Sequence, residues 1–346
     1  MSQSITYRSA GGVRITRHVE EVELDAFTDL RRALDTRRGL LLASSYEYPG
    51  RYTRCDLGFV DPLLSLEARG RMFELRAHGP CGELLLSACA GALRDLSELS
   101  ELQCSIDRVS GVVPASDEPF AEEARTRTPS VFTLLRRLRA LFASPDDSRL
   151  GLYGAFGYDL VFQFESLRMQ QPRLADARDL VLYLPDRVLV RDHALSRALS
   201  YRYEFEVDGR STVGLASMQS SSVPAAISGE TSRDHAPGEF ARLVEVARAA
   251  FARGDLFEVT PSQVFSRACR ARPSEIFQRL REQNPAPYGF LANLGEGEFL
   301  IGASPEMYVR VQGDRVETCP IAGTIARGQD ALGDARQVQR LLASDK

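Results

Sequence analysis

The stretch NPAPYGFLANLGEGEFLIGASPEMYVRVQGDRVETCP at 284–320 decides the fold class. Turn-forming residues recur along it, at Gly295-Glu296-Gly297 and again at Gly313-Asp314, with short apolar runs between them. Turns at that interval let each strand double back on its predecessor. The spacing predicts an antiparallel meander with strands over 288–294, 298–303, 306–312 and 315–321. Just upstream, SEIFQRLREQN at 274–284 has the helical period, with Ser274 as its N-cap and Asn284 near its end. Farther back, Phe240, Leu243, Val244, Ala247 and Phe251 share one helical face, and Gly254 sits where a C-terminal cap belongs. Between those helices LFEVTPSQVFSRAC (256–269) alternates as a strand, and the stretch from Asp330 onward begins another helix. Hairpins in series with interspersed helices predict an α+β fold of largely antiparallel sheets packed with helices, not a parallel doubly wound sheet.

The first part of the chain mixes strands and helices too. SVFTLLRRLRALFA at 130–143 places Val131, Leu134, Leu135, Leu138, Leu141 and Phe142 on one face, with Pro129 at a helix start. GLYGAFGYDLVFQFE (151–165) reads as a strand–helix passage whose glycines permit close backbone approach. VLYLPDRVLVRDH (181–193) gives two strands joined at Pro185-Asp186, and LSYRYEFEVDG continues the alternation. Residues 208–237 then turn to Ser, Gly and Ala with few large apolar groups, too little to order a core. The expected division is therefore a first region over 1–207, a linker or loop over 208–237, and a second domain over 238–346.

Bulk properties exclude several classes. The 43 basic and 47 acidic side chains give a net charge of −4 and no polycationic surface for nucleic acid. No stretch approaches the ~18 uninterrupted apolar residues of a membrane span, and the first residues lack the apolar core of a signal peptide. The six cysteines (Cys55, Cys81, Cys89, Cys104, Cys269, Cys319) include no CxxC pair, which fits reduced thiols and a cytoplasmic location. His18, His78, His193 and His235 form no metal-binding spacing, and each reads as an ordinary core or surface histidine.

Six segments together are more specific. GDLFEVTPSQVFSR (254–267), NPAPYGFLANLGEGEFLIGASPE (284–306) and PIAGTIARG (320–328) resemble, in order and spacing, the chorismate-binding enzymes. LLLASSYEYPGRYTRCDLG (40–58), GLYGAFGYDLVFQFE and YLPDRVLVRDH are similar to the first part of anthranilate synthase large subunits, above all the form fused to its glutamine amidotransferase. That resemblance implies an anthranilate synthase-like sandwich whose C-terminal part is incomplete here. It implies the reaction of chorismate with ammonia to give anthranilate and pyruvate, the first committed step of tryptophan biosynthesis, feedback-inhibited by tryptophan. A synthase stopping at aminodeoxyisochorismate, as in phenazine pathways, shares the motifs. For these residues alone, a tryptophan-binding module without catalysis is the alternative from another class.

The resemblance also assigns residues. Ala322, Gly323 and Thr324 would bind chorismate, whose carboxylates suit free backbone N–H groups and a hydroxyl. Thr324 and Glu258 would be catalytic. Relatives that attack the ring with a lysine carry it at the position of Ala322, and a methyl group cannot act as that nucleophile. Relatives that add water carry a lysine where Glu258 stands. Ser44, Arg54, Asn284, Pro285, Tyr288 and Gly289 would form the tryptophan pocket, polar groups for the amino acid and flat apolar surface for the indole. Glu306 in GASPE would be held near the substrate site by a tight turn. The Mg²⁺ ligands, two glutamates in the family, are expected beyond Lys346, so no metal ligand is assigned within the chain. A glutamine amidotransferase supplying ammonia is the expected partner, with a homo-oligomer compatible.

Overall fold

The computed structural model of the chain describes residues 3–45, 55–115, 127–165, 173–174, 176–216, 231–321 and 323–344. From the N-terminus, β1 (Gln3–Arg8) and β2 (Arg14–Val22) form a hairpin, followed by α1 (Ala26–Ala33), β3 (Gly39–Ala43) and β4 (Cys55–Val60). Next come β5 (Leu64–Arg69), β6 (Met72–Ala77), α2 (Gly79–Arg94), β7 (Ser100–Cys104), β8 (Arg108–Val112) and α3 (Val131–Phe142). β9 (Tyr153–Phe156) passes through a 3-10 turn at Tyr158–Gln163 to β10 (Leu180–Leu184), β11 (Arg187–Asp192) and β12 (Arg197–Val207). β13 (Arg210–Ser211), β14 (Ser232–Arg233), α4 (Glu239–Arg253), β15 (Phe265–Ser266) and α5 (Pro273–Gln283) follow. The chain continues with β16 (Tyr288–Asn293), β17 (Phe299–Ser304), β18 (Met307–Gln312), β19 (Arg315–Cys319) and α6 (Ala331–Leu342).

The larger sheet runs β1-β2-β12-β11-β4-β3-β16-β17, with β13 paired to β12; the smaller runs β7-β8-β6-β5-β10-β9. Neighbours are antiparallel throughout. This is the expected α+β architecture of antiparallel sheets packed with helices. The two strands joined at Pro185-Asp186 do form, but they belong to different sheets, so this turn carries the chain from one layer to the other. Gly154 allows β9 to lie close on β10, because a Cβ there would sit 2.0 Å from the Val181 carbonyl.

Apolar side chains explain the layering. α1 and α5 lie on one face of the larger sheet, where Phe27, Leu30, Leu34 and Phe277 pack on Leu41, Ala43, Leu189 and Leu291. On the opposite face Leu40, Phe59 and Ala292 meet Val181 and Tyr183 of the smaller sheet. The largest core lies beside this contact, where α2 and α3 fill the space between the sheets with Leu84, Leu85, Leu93, Leu134 and Leu138. Burying each of these large side chains contributes roughly 1.5–3 kcal/mol. Arg178, its side chain only 3% exposed, pins the smaller sheet to the β16–β17 turn: it donates to Glu67, to Glu298 and, at 2.9 Å, to the Leu294 carbonyl.

Three local expectations need correction. Ser274 is not the cap of α5 but lies inside its first turn. The cap comes from Asp35, whose carboxylate accepts the Ser274 N–H at 2.8 Å and the Ser274 hydroxyl at 2.6 Å. The segment 256–269 contains only the two-residue strand β15, paired with β14. Period-two alternation makes a strand only where a neighbour completes its ladder, and Phe257 here is 98% exposed. The meander breaks between β17 and β18, which lie in different sheets. Pro305 lacks an N–H, and the Ser304 hydroxyl takes the Glu306 N–H at 3.2 Å, turning the chain aside. The helical face of α4 exists, and Gly254 caps it with φ 77°, but Leu243, Val244 and Phe251 remain exposed. Residues 217–230 of the expected linker lie outside those described. Strands from both sides of it, β3 and β16, share one sheet.

Asp35→Ala removes both acceptors from the start of α5. Urea unfolding is expected to record a loss of about 1–2 kcal/mol, with Asp35→Asn recovering part of it. A second expectation concerns pH. His78, at the start of α2 and 2.9 Å from the Ser65 hydroxyl, is pushed down from 6.5 to about 4 by burial and by Arg38 and Arg76. The unfolded chain therefore takes up a proton that the folded chain refuses, and stability falls as pH drops from 6.5 towards 4. Thermal melts of His78→Gln should lose part of that slope.

Candidate functional site

Two regions bring predicted residues together. The first follows β19. Met307 pairs with Cys319, and the Glu306 carboxylate accepts the Ile321 N–H at 3.3 Å. The Ser304-Pro305-Glu306 turn and the Pro320-Ile321 strand end are thereby tied together, so Glu306 is a structural acceptor beside the segment assigned to chorismate. Gly323 adopts φ 76°, and a Cβ there would meet only Leu341 of α6 at 3.6 Å. The backbone, not crowding, requires glycine at this position. Thr324 is exposed, and Ala322 lies outside the described residues. Below, Asp334 in the first turn of α6 accepts the Gly328 N–H and the Arg327 guanidinium, each at 2.7 Å. Those contacts hold its carboxyl below the usual range. They fix the loop 323–328 over the N-terminal turn of α6. Glu258 sits exposed on the irregular stretch after α4.

The second region lies where β3 meets β16. The register Ala43↔Gly289 and Leu42↔Phe290 brings the segment after β3 against the segment before β16. Ser45 N–H donates to the Ala286 carbonyl at 2.9 Å, and Arg281 Nε donates to the Ser45 hydroxyl at 3.0 Å. Ser44 is buried, and its N–H donates to Asp56 Oδ1 at 2.9 Å. The two halves of the pocket assigned to tryptophan are thus adjacent. Asn284 and Pro285 are exposed at the end of α5, and Tyr288 is half-buried. Strand alternation sends Tyr288 and Phe290 to one face of the sheet, and Gly289 and Leu291 to the other, under α5. Arg54 lies outside the described residues.

Several residues here escaped the sequence reading. Asp56 is 2% exposed and also lies 2.8 Å from His193 Nε2. Arg31, Arg191 and Arg281 line a cleft of about 300 Å³ beside it. The available signal was Asp56 itself, a charge set in the apolar alternation CDLGFV. Nothing in the sequence paired it with His193, because 137 residues separate them.

The family of chorismate binding enzymes matches residues 101–346, which take in both regions apart from β3, β4 and α1. The chain belongs to that family. Among chorismate-binding enzymes it is similar to an anthranilate synthase of Azospirillum brasilense, 51% identical over 99% of this chain and 47% of that protein. It is 31% identical to anthranilate synthase component 1 of Serratia marcescens, over 89% of this chain and 62% of that protein. A 2-amino-4-deoxychorismate synthase of Streptomyces globisporus is 32% identical over 72% of this chain and 57% of that protein. The chain thus spans about half the length of the relatives it matches. The recognised family, and with it the anthranilate synthase resemblance, stands on these matches and the antiparallel fold together.

Gly289 offers a direct check on the β3–β16 seam. A Cβ there would sit 2.9 Å from the Ala43 carbonyl and 3.5 Å from the Phe277 ring. Gly289→Ala is expected to cost about 1–3 kcal/mol in urea unfolding. An unchanged midpoint would mean that the seam opens at little cost.

Proposed function

We propose that the protein carrying these residues is an anthranilate synthase, converting chorismate and ammonia to anthranilate, pyruvate and water. The observation that carries this reading is the 51% identity with the Azospirillum enzyme over 99% of the chain. Chemistry at the residues agrees. Gly323 and Thr324 offer N–H and hydroxyl donors to a chorismate carboxylate. Ala322 leaves the ring open to free ammonia, since its methyl cannot itself attack. Glu258 is available as the base that removes protons during addition and elimination. Nitrogen bonds to the ring as the 4-hydroxyl leaves. Loss of the enolpyruvyl side chain as pyruvate, with a ring proton, then makes the ring aromatic.

Magnesium belongs to the reading for the whole protein. Among the described residues no three His, Cys, Asp or Glu side chains gather to hold a cation. A glutamine amidotransferase, as a domain or a subunit, supplies the ammonia, and the reaction is cytoplasmic. Among the described residues no helix is long and apolar enough to cross a membrane.

Feedback by tryptophan forms the regulatory half of the proposal. Ser44, Arg54, Asn284, Pro285, Tyr288 and Gly289 make up the pocket, and the adjacency of β3 and β16 supports grouping all of these but Arg54, which lies outside the described residues. Gly289 has no side chain to reach a ligand, so its part is to let the two strands close. A second reading, synthesis of aminodeoxyisochorismate, shares the same substrate and nitrogen donor.

Isothermal titration of this chain with L-tryptophan, and separately with chorismate plus Mg²⁺, tests the division of labour. Tryptophan binding that Ser44→Ala weakens about tenfold, without chorismate binding, is the expected result. Strong chorismate binding would overturn the placement of the metal ligands. Silence from both ligands, on a sample shown to be folded, would remove the feedback pocket. For the full-length enzyme, anthranilate fluorescence from chorismate and ammonium decides between the two products.

A further inference from the structure

The cleft between α1, α5 and strands β3, β4 and β11 carries charge that the fold does not spend. Arg31 from α1, Arg191 from β11 and Arg281 from α5 line its volume of about 300 Å³. The one carboxylate among its lining residues, Asp56, is already engaged by the Ser44 N–H and by His193. Arg191 stands directly opposite Asp56 in the β4–β11 register, yet its guanidinium makes no hydrogen bond or ion pair among the described residues. Arg191 Nε and Arg31 Nε are both shielded from water and without a partner. Arg31 uses another of its N–H groups on the side-chain carbonyl of Gln278, leaving Nε unused. Arg281 lies over the Phe277 ring and spends its Nε on Ser45.

Asp35 and Glu282 act on Arg31 through space, but neither forms an ion pair with it among the described residues. Asp35 caps α5 through Ser274, and Glu282 accepts from Gln278 at 2.6 Å. Burial, with Arg281 and Arg32 close by, holds the Arg31 guanidinium below its ordinary value. Three guanidiniums line one cleft, and two of them, Arg31 and Arg191, keep a buried Nε–H without a partner among the described residues, an arrangement suited to an oxyanion. Each Arg presents a planar fork matched to a carboxylate or phosphate. Phe27 and Leu41 supply an apolar wall beside the charges.

We propose that this cleft is a binding site for a small organic anion, with its carboxylate or phosphate group on Arg31 and Arg191 and its apolar part against Phe27 and Leu41. Its lining residues lie on the helix-covered face of the larger sheet, the face opposite Tyr288 and Phe290. It is a site separate from the substrate segment at Gly323 and does not rest on the anthranilate synthase reading. Anion binding would also couple α1 and α5 across β3, beside the seam where Ser45 meets Ala286.

Benzoate and inorganic phosphate, each titrated into the intact chain at constant ionic strength and against chloride, distinguish the two kinds of head group. Saturable binding of either, weakened about tenfold or more by Arg191→Gln and by Arg31→Gln, is the expected outcome. In anion-free buffer Arg191→Gln should melt at or above the wild-type temperature, because it removes a guanidinium whose buried Nε has no partner among the described residues. The same variant should lose the rise in melting temperature that the anion gives the wild type. Tryptophan titration should be unaffected by Arg191→Gln, which separates this site from the feedback pocket. Absence of saturable binding by both probes, or binding that both variants leave unchanged, would overturn the proposal. So would a marked drop in anion-free stability of Arg191→Gln, since it would give the guanidinium a structural role.

Discussion

The pairing of β3 with β16 joins residues some 250 positions apart and sets the geometry of everything around it. Gly39–Ala43 and Gly289–Asn293 align in antiparallel register, and the neighbouring contacts lock that register in place. Asn293 is fully buried and donates its side-chain N–H to the Leu34 carbonyl at 2.9 Å, while its side-chain oxygen Oδ1 accepts the Gly295 N–H. Asp35, next along the chain from Leu34, caps α5. One turn of backbone after α1 therefore holds both the edge of a strand and the start of a helix from the far part of the chain. Loop closure over that distance carries a large entropic cost, and buried polar contacts with few alternatives make the register unique.

This seam explains why the two functional regions lie where they do. β16 and β17 extend the larger sheet, and Arg178 fastens their turn to the smaller one. Beyond β17 the chain departs through Ser304-Pro305-Glu306 into the separate hairpin β18–β19, which carries the Pro320–Thr324 segment. The segment assigned to chorismate thus stands outside the main sheet, connected by the Glu306 contact to Ile321. The pocket assigned to tryptophan lies at the other end of β16, where Ala286 meets Ser45.

The exposed apolar surface is unevenly distributed. The first part of the chain buries Leu85, Leu93 and Leu134 completely or nearly so, whereas α4 and α6 bury no residue among those described. On β18–β19, Tyr308, Val311 and Val316 are open to solvent. The amphipathic faces read from the sequence are therefore present as shapes, without the packing that the same pattern secures in α3.

Local periodicity and turn chemistry determined much of this protein. The strands from 288 to 319, the helices α3, α4, α5 and α6, the cap at Gly254 and the antiparallel class all follow from apolar spacing and glycine placement, which act over a few residues. The motifs GASPE, PIAGT and NPAPY were legible for the same reason, since each is a contiguous run. The cap of α5 was not legible, because Asp35 lies 239 residues from Ser274. Nor could alternation in 256–269 reveal that a strand there would lack a partner along most of its length. The pairing of Asp56 with His193, and the meeting of Arg31, Arg191 and Arg281, were decided by the tertiary structure alone. Sequence fixes which side chain can donate or carry charge; only folding brings charges from α1, β11 and α5 into one cleft.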